Sequence, residues 1–360
     1  MNPVPDAAPL ASLPGAQYLA EIREQPAALR RLLEHRAEFA RVGEAAKRHR
    51  TGIVRMVGHG SSDNAASYGV YAFGLLPGLT AVRDSISLLV YYDAELDLRG
   101  STVIALSQSG RTPDVLEYVE RARKGGAFTI AVTNEPDSEL AGVAEAVLPL
   151  CAGAELAVAA TKTYSTQLAA LGLLAGCLAG RCDELADRLG EVADQLEEHL
   201  PELELHSSSL GVPFASVARM FVIGRGPEFA TAREIALKLL ETCQIAAEPL
   251  TATDLAHGPV AALDPLFPVW VVASADETLD AVVDATARAR QTGATVVASG
   301  TAADALVDAQ YLVPVPKPRL ALLSPLLSVV PGQLFAGAVA RAKGLDPDKP
   351  RGLSKVTLAR

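Results

Sequence analysis

The chain has 360 residues, of which 49% are hydrophobic and 21% charged, with a formal net charge of −10. That length suits two domains of ordinary size, and the composition supplies ample core material. The acidic balance argues against nucleic acid or an anionic membrane as the main partner, so an anionic substrate has to be met by local donors.

The first residues carry Pro and Ala but no basic stretch ahead of an apolar one, so no signal peptide is expected. Residues 16–50 read as helices: "YLAEIREQPAALRRLLE" spaces its apolar residues helically, and Pro26 suits a first turn. In "GIVRMVGHGSSDNAAS" an apolar β-rich run ends in a Gly-rich polar loop, and an Ala-rich helical segment follows. "STVIALSQSGRTPDVLEYVERARKGG" repeats strand, polar loop, helix; "AFTIAVTN" and "AVLPL" add two strands. "LAALGLLAGCLAG" (168–180) stands among the longest apolar runs; it falls short of a membrane span and reads as a buried helix. "CDELADRLGEVADQLEEHLPELE" is a charged amphipathic connector.

The second half repeats the order of elements. "ARMFVIGRGPEFATAREIALKLLE" matches the first loop unit, "FPVWVVASADETLDAVVDATARARQTGA" the second, and "ATVVASG" and "YLVPVP" the last two strands. This alternation predicts an α/β protein of two tandem doubly wound domains of flavodoxin-like type, each a parallel sheet with helices on both faces. The expected segments are a helical stretch 1–44, a first domain 45–190, a second 205–340 and a Pro/Gly-rich tail 341–360. Cys151, Cys177, Cys182 and Cys243 form neither a CxxC pair nor a disulfide framework and read as four reduced thiols, without a His cluster that would mark a metal site.

Why does the run "TVIAL" end in "SQSGRT"? A phosphate needs short donors converging on one point, and Ser107, Gln108, Ser109 and Thr112 supply them around a Gly that lets the backbone approach. The place is right, since open α/β sheets bind ligands at the carboxyl ends of their strands. The competing reading is a helix cap by Ser109 or Thr112 without a ligand. Ser61 and Ser62 in "GHGSSDNA" can line the same crevice. The dinucleotide fingerprint GxGxxG is absent there, because position 63 is Asp63. The second copy has "SADETL" in place of "SQSGRT", so phosphate binding is expected in the first domain and chemistry in the second. There, "REIALKLLETCQ" places Glu234, Lys238 and Glu241 on one helix face, either a solvated salt-bridged face or a catalytic one. His257 in "LAHGP" reads as a turn residue or a catalyst.

The motifs "GHGSSDNA", "SQSGRTPD", "AVAATKTY", "EIALKLLE", "DLAHGP" and "DPDKPRGLSKVT", in this order, resemble the sugar isomerase (SIS) domain family from Tyr18 to Thr357. Within it the chain looks like the isomerase part of glutamine–fructose-6-phosphate amidotransferase without the glutaminase domain, and most like the glutaminase-lacking glucosamine-6-phosphate deaminases. The resemblance implies that Ser61, Ser107, Gln108, Ser109 and Thr112 bind the sugar phosphate, with Ser62 and the Val158 backbone contacting the sugar. Ala160 stands where the synthase has a serine, so one hydroxyl contact is expected to be missing. It implies Glu241 as the base that shuttles a proton between C1 and C2, Lys238 beside it, His257 as the ring-opening group supplied by a neighbouring subunit, and Lys355 on the open-chain sugar. It further implies a cytoplasmic homodimer with no metal or organic cofactor, acting on an amino-sugar 6-phosphate. The alternatives are an ammonia-dependent synthase half, a fructosamine-6-phosphate deglycase, or a sensor without chemistry.

Overall fold

In the computed structural model, which describes residues 13–355, the chain starts with three helices, α1 (Ala16–Arg23), α2 (Gln25–Glu34) and α3 (Arg36–Arg48). The stretch read as lacking a signal peptide, and Val356 and Thr357 of the last motif, lie outside the described residues. Pro26 falls in the first turn of α2, where its missing N–H costs no hydrogen bond.

The first sheet follows as β1 (Ile53–Val57), α4 (Ser61–Leu75), β2 (Thr80–Arg83), α5 (Ile86–Val90), β3 (Ser101–Leu106), α6 (Pro113–Lys124), β4 (Phe128–Thr133), α7 (Glu139–Val143) and β5 (Ala146–Pro149). Two long helices, α8 (Lys162–Leu178) and α9 (Cys182–Ser209), lead out of it. The second sheet runs β6 (Arg219–Gly224), α10 (Glu228–Cys243), β7 (Ala246–Thr251), α11 (Ala252–Ala256), β8 (Val269–Val272), α12 (Leu279–Gln291), β9 (Val296–Gly300) and β10 (Tyr311–Pro314), and α13 (Ser324–Ala342) closes the fold.

Strand order is β2-β1-β3-β4-β5 in one sheet and β7-β6-β8-β9-β10, the same order, in the other, with every neighbour parallel. These are the two doubly wound domains expected from the repeat. Strands β3 and β4 are buried along their whole length, as strands covered by helices on both faces must be, and their apolar sequences show it. In each sheet the chain reverses its winding between the first and third strands. The loops after β1 and β3 therefore open onto one crevice, and those after β6 and β8 onto another.

Helix α8 is buried from Lys162 to Cys177 and forms, with α4, α3 and α9, the centre of the first half. The stretch Ala321–Ala342 is long and apolar enough to cross a membrane, but its apolar window is wholly buried in this fold, packed on α10 and α9. This second long apolar run, like residues 168–180, is a core helix. Pro325 sits in the first turn, and Pro331 is carried inside the helix.

The expectation of four reduced cysteines is corrected. Cys177 at the end of α8 and Cys182 at the start of α9 are joined in a disulfide, their Cα atoms 4.1 Å apart. The reversal between the two helices passes through Gly180, whose φ is +75°, and this turn brings together two cysteines that sequence spacing leaves unremarkable. Cys151 and Cys243 are free thiols.

Candidate active site

The carboxyl ends of β1 and β3 and the start of α4 border a cavity of about 600 Å³, a size suited to a small ligand. Every residue expected to bind the sugar phosphate lines it: Ser61 and Ser62 from the first loop, Ser107, Gln108, Ser109 and Thr112 from the second, and Val158 and Ala160 from the segment before α8. Glu241 enters from α10 of the second half, and Lys355 from the tail. Arg111 is exposed and does not line the cavity.

The 107–112 loop is built around its glycine. Gly110 has φ +61°, and a Cβ there would sit 2.0 Å from Ser138 Oγ, so the tight turn admits no side chain. Its N–H donates to Ser107 Oγ at 3.1 Å, and Ser107 Oγ lies 3.2 Å from Thr112 Oγ1. The Gln108 carbonyl accepts from the Asn134 N–H and the Thr133 hydroxyl, which ties the loop to the end of β4. Thr112 is the N-cap residue of α6 but makes no side-chain capping bond, and Ser109 Oγ reaches only the Arg111 N–H, at 3.4 Å. The capping reading of these hydroxyls therefore fails on geometry. They lie at the positive end of a 12-residue helix, where an anion is favoured.

The face Glu234–Lys238–Glu241 is not a solvated one. Lys238 and Glu234 side chains are 0% exposed, while Glu241 keeps 22%. The reason is that α10 packs on α4 and α13. Lys238 Nζ lies 2.6 Å from Glu241 and 3.3 Å from Glu234. Glu234 also accepts from Ser61 Oγ at 2.8 Å and Asn64 Nδ2 at 2.9 Å, which ties the two halves across the cavity floor. Burial opposes the charge on Lys238, but Glu234 and Glu241 together outweigh it and hold the ammonium above the ordinary lysine range. Burial pushes Glu234 up, against the pull of Lys238 and Asn64. Charged Lys238 thus holds the Glu241 carboxylate in place at the cavity wall.

The tail is anchored by its acidic residues. The Asp348 carboxylate accepts the Tyr18 N–H at 2.6 Å and the Gln17 N–H at 3.2 Å, and Asp346 accepts the Gly15 N–H at 3.0 Å. These carboxylates satisfy the orphan donors at the start of α1, which fixes "DPDKP" against the first helix. The Val158 N–H donates to the Asp348 carbonyl. Lys355 Nζ then reaches Glu155 and the Ala157 carbonyl, both at 2.7 Å. Burial opposes ionisation of Glu155, yet the Lys355 ammonium and the N–H groups of Thr161 and Thr163 prevail and hold it below the usual carboxylate range. Glu155 escaped the sequence reading: an acidic residue in an irregular segment gives no local sign that a lysine 200 residues on will meet it.

His257 is not brought to the cavity of its own chain. It is exposed at the end of α11 and does not line the cavity. Asp63, the residue that argued against a dinucleotide, pairs with Arg83 and Arg233 and also stays out of the cavity. Among the described residues no group of three His, Cys, Asp or Glu side chains is disposed to hold a metal ion.

The equivalent crevice of the second half is filled by its own carboxylates. Glu228, at the position matching Ser62, is buried and accepts from Ser274, the counterpart of Ser107, at 2.7 Å and from Ser328 at 2.8 Å. Burial pushes its carboxyl up, with the hydroxyls of Thr231, Ser274 and Ser328 opposing. Asp276 accepts both the N–H and the hydroxyl of Thr278, which is the N-cap residue of α12 as Thr112 is of α6. Two protein carboxylates take up donors that the first crevice presents to its cavity.

The SIS domain family matches residues 53–176 and 214–340. The glutamine–fructose-6-phosphate aminotransferase (isomerizing) of Thermococcus kodakarensis is 36% identical over 346 residues, covering 94% of this chain and 57% of that protein. The chain thus spans little more than half the length of this curated relative. The C-terminal domain of glucosamine–fructose-6-phosphate aminotransferase from Francisella tularensis superposes with a TM-score of 0.86 at 25% identity, over 93% of this chain and 98% of that one. Glucosamine-6-phosphate deaminase from Thermotoga maritima shares the fold, with a TM-score of 0.75 at 23% identity over 95% of this chain and all of that one.

Proposed function

This chain belongs to the SIS domain family, and from that premise we propose that it is an enzyme that converts glucosamine 6-phosphate to fructose 6-phosphate and ammonia. The observation that carries the reading is the single cavity that joins the uncapped hydroxyls of residues 107–112 to the Glu241 carboxylate. An anion loop alone would serve a sensor. A carboxylate held by a buried ammonium at the other wall is what proton transfer requires.

The chemistry runs as follows. Glucosamine 6-phosphate is a closed pyranose whose C2 proton is not acidic. Opening the ring, by His257 of a second copy of this chain in a homodimer, moves a proton from O1 to O5 and leaves an aldehyde at C1. Glu241 takes the C2 proton and returns it at C1 through an enolamine, while O1 gains a proton and the amine gives one up, leaving a hydroxymethyl at C1 and a ketimine at C2; the general-base step is worth roughly 10²–10⁴-fold. Lys355, which lines the cavity, offsets the charge that develops on oxygen, and the buried Lys238 holds Glu241. The C2 ketimine then takes up water and releases ammonia. Phosphate binding holds the open chain in register, so that binding energy remote from C2 serves the reaction.

The test is a coupled assay for ammonia released from glucosamine 6-phosphate, set against galactosamine 6-phosphate, fructosamine 6-phosphate, and the reverse reaction from fructose 6-phosphate and ammonia. Fastest turnover of glucosamine 6-phosphate is the expected result. Faster release from fructosamine 6-phosphate would make the protein a deglycase, and no turnover of any would leave a sensor. Within this reading, Ser109→Ala with Thr112→Ala removes two donors to a charged group, each worth about 1.5–3 kcal/mol. KM should rise at least about a hundredfold with kcat nearly kept; an unchanged KM in steady-state kinetics would take both hydroxyls out of phosphate binding.

A further inference from the structure

His59 lies in the loop after β1 and belongs to none of the roles above. Its Nε2 is 2.8 Å from Asp114 Oδ2, and both residues line the cavity. Asp114 sits in the first turn of α6, two residues after Thr112, at the end of the cavity where the hydroxyl loop lies. Its side chain is 8% exposed, and its Oδ1 is buried with no hydrogen-bond partner among the described residues. The His59 side chain is 56% exposed, and among the described residues its Nδ1 has no hydrogen bond to match the one at Nε2.

We infer that His59, bridged to Asp114, is the cation that meets the phosphate of the ligand, so that affinity for a phosphosugar depends on the protonation of His59. The inference rests on the reading that residues 107–112 hold the phosphate. A buried carboxylate at that end of the cavity opposes an incoming dianion. Among the described residues the other ionisable groups that face the cavity do not answer it: Glu155 and Glu241 are carboxylates, Tyr91 is a phenol, and Lys355 is engaged by Glu155. An imidazolium between Asp114 and the ligand turns the repulsion into a bridge, since it donates from both nitrogens, to the carboxylate from Nε2 and to phosphate from Nδ1. Histidine is the side chain that can switch between a neutral and a cationic form around neutrality, so this bridge is sensitive to pH as a lysine or arginine would not be.

Glucitol 6-phosphate, an open-chain hexitol phosphate, is the probe, with its affinity measured by calorimetry at pH 6 and pH 9. The titration of the probe's own phosphate is common to wild type and variants and cancels in their ratio. At pH 6, His59→Gln should bind about tenfold or more weakly than wild type, and by pH 9 the two should converge. In the His59→Gln background, Asp114→Asn should regain most of the lost affinity, because the unanswered carboxylate is gone. Equal affinities at pH 6, a deficit that persists at pH 9, or no recovery with Asp114→Asn overturns the inference. The underlying reading fails separately: a wild type that does not bind the probe, or a Ser109→Ala/Thr112→Ala variant that binds as wild type does, removes the phosphate loop itself.

Discussion

Glu241→Gln is expected to lower kcat for ammonia release from glucosamine 6-phosphate by about 10²–10⁴-fold while leaving the thermal stabilisation of the protein by that ligand intact. Glutamine keeps the shape of the side chain and an oxygen for the Lys238 ammonium, now 2.6 Å from the carboxylate. It removes only the capacity to accept and return a proton. In the proposed reading the phosphate is held by the hydroxyl loop after β3, in the other half of the chain, so a thermal-shift titration should report a near-normal dissociation constant. Turnover within tenfold of wild type would take Glu241 out of its role. Loss of the thermal shift together with turnover would make it a binding group.

Lys238→Met should destabilise the fold by about 3–5 kcal/mol at neutral pH, the usual consequence of removing one partner from a buried ion pair. Methionine fills the same space, so the loss is one of charge. Glu234, with no exposure, would be left with Ser61 and Asn64 as donors and Glu241 as a nearby like charge. The sign of the pH dependence follows. Burial already raises the Glu234 carboxyl in the folded state, and losing Lys238 raises it further. A carboxyl with a raised folded pKa binds more protons folded than unfolded, so stability is gained as pH falls toward its unfolded pKa and lost as pH rises through the folded one. The deficit of Lys238→Met against wild type in denaturant titrations should therefore shrink between pH 8 and pH 5. Adding Glu234→Gln should relieve it at pH 8, since a neutral amide still accepts from Ser61 and Asn64. A deficit that is the same at both pH values would mean that the cost lies in packing.

The two largest expected effects thus fall on one short helix segment, and the sequence showed only half of why. Spacing of three and four residues places Glu234, Lys238 and Glu241 on one face in any helix. Whether that face meets water or protein is a property of what packs on it. Here α4 and α13 cover it, and a pattern that reads equally well as a solvated salt-bridge ladder becomes a buried charge network with one carboxylate at a cavity wall. His257 shows the converse: its motif is legible, but within one chain the fold leaves it exposed and away from the cavity.

What the sequence determined by itself is the local grammar. Apolar β-rich runs such as "TVIAL" and "FTIAV" ended by Gly and Ser, then helical periodicity, specify strand, loop and helix through interactions within a few residues, and their recurrence specifies the second domain. Strands β2 and β7 lay beyond that grammar. Both are sheet edges, half-exposed and short of apolar residues, and β7 carries Pro249, which an edge tolerates. Only the tertiary structure decided the long-range pairings, Asp348 on the start of α1, Lys355 with Glu155 and His59 with Asp114, and the local helix reversal that joins Cys177 to Cys182 five residues on. It also decided that the buried Glu228 takes up the hydroxyls of Ser274 and Ser328 in the second half, while Thr112 in the first half makes no side-chain cap and lines a cavity. Each of these is a contact between residues whose own neighbours say nothing of each other. The energy that selects them comes from burying charge and apolar surface together, which exists only once the chain has closed on itself.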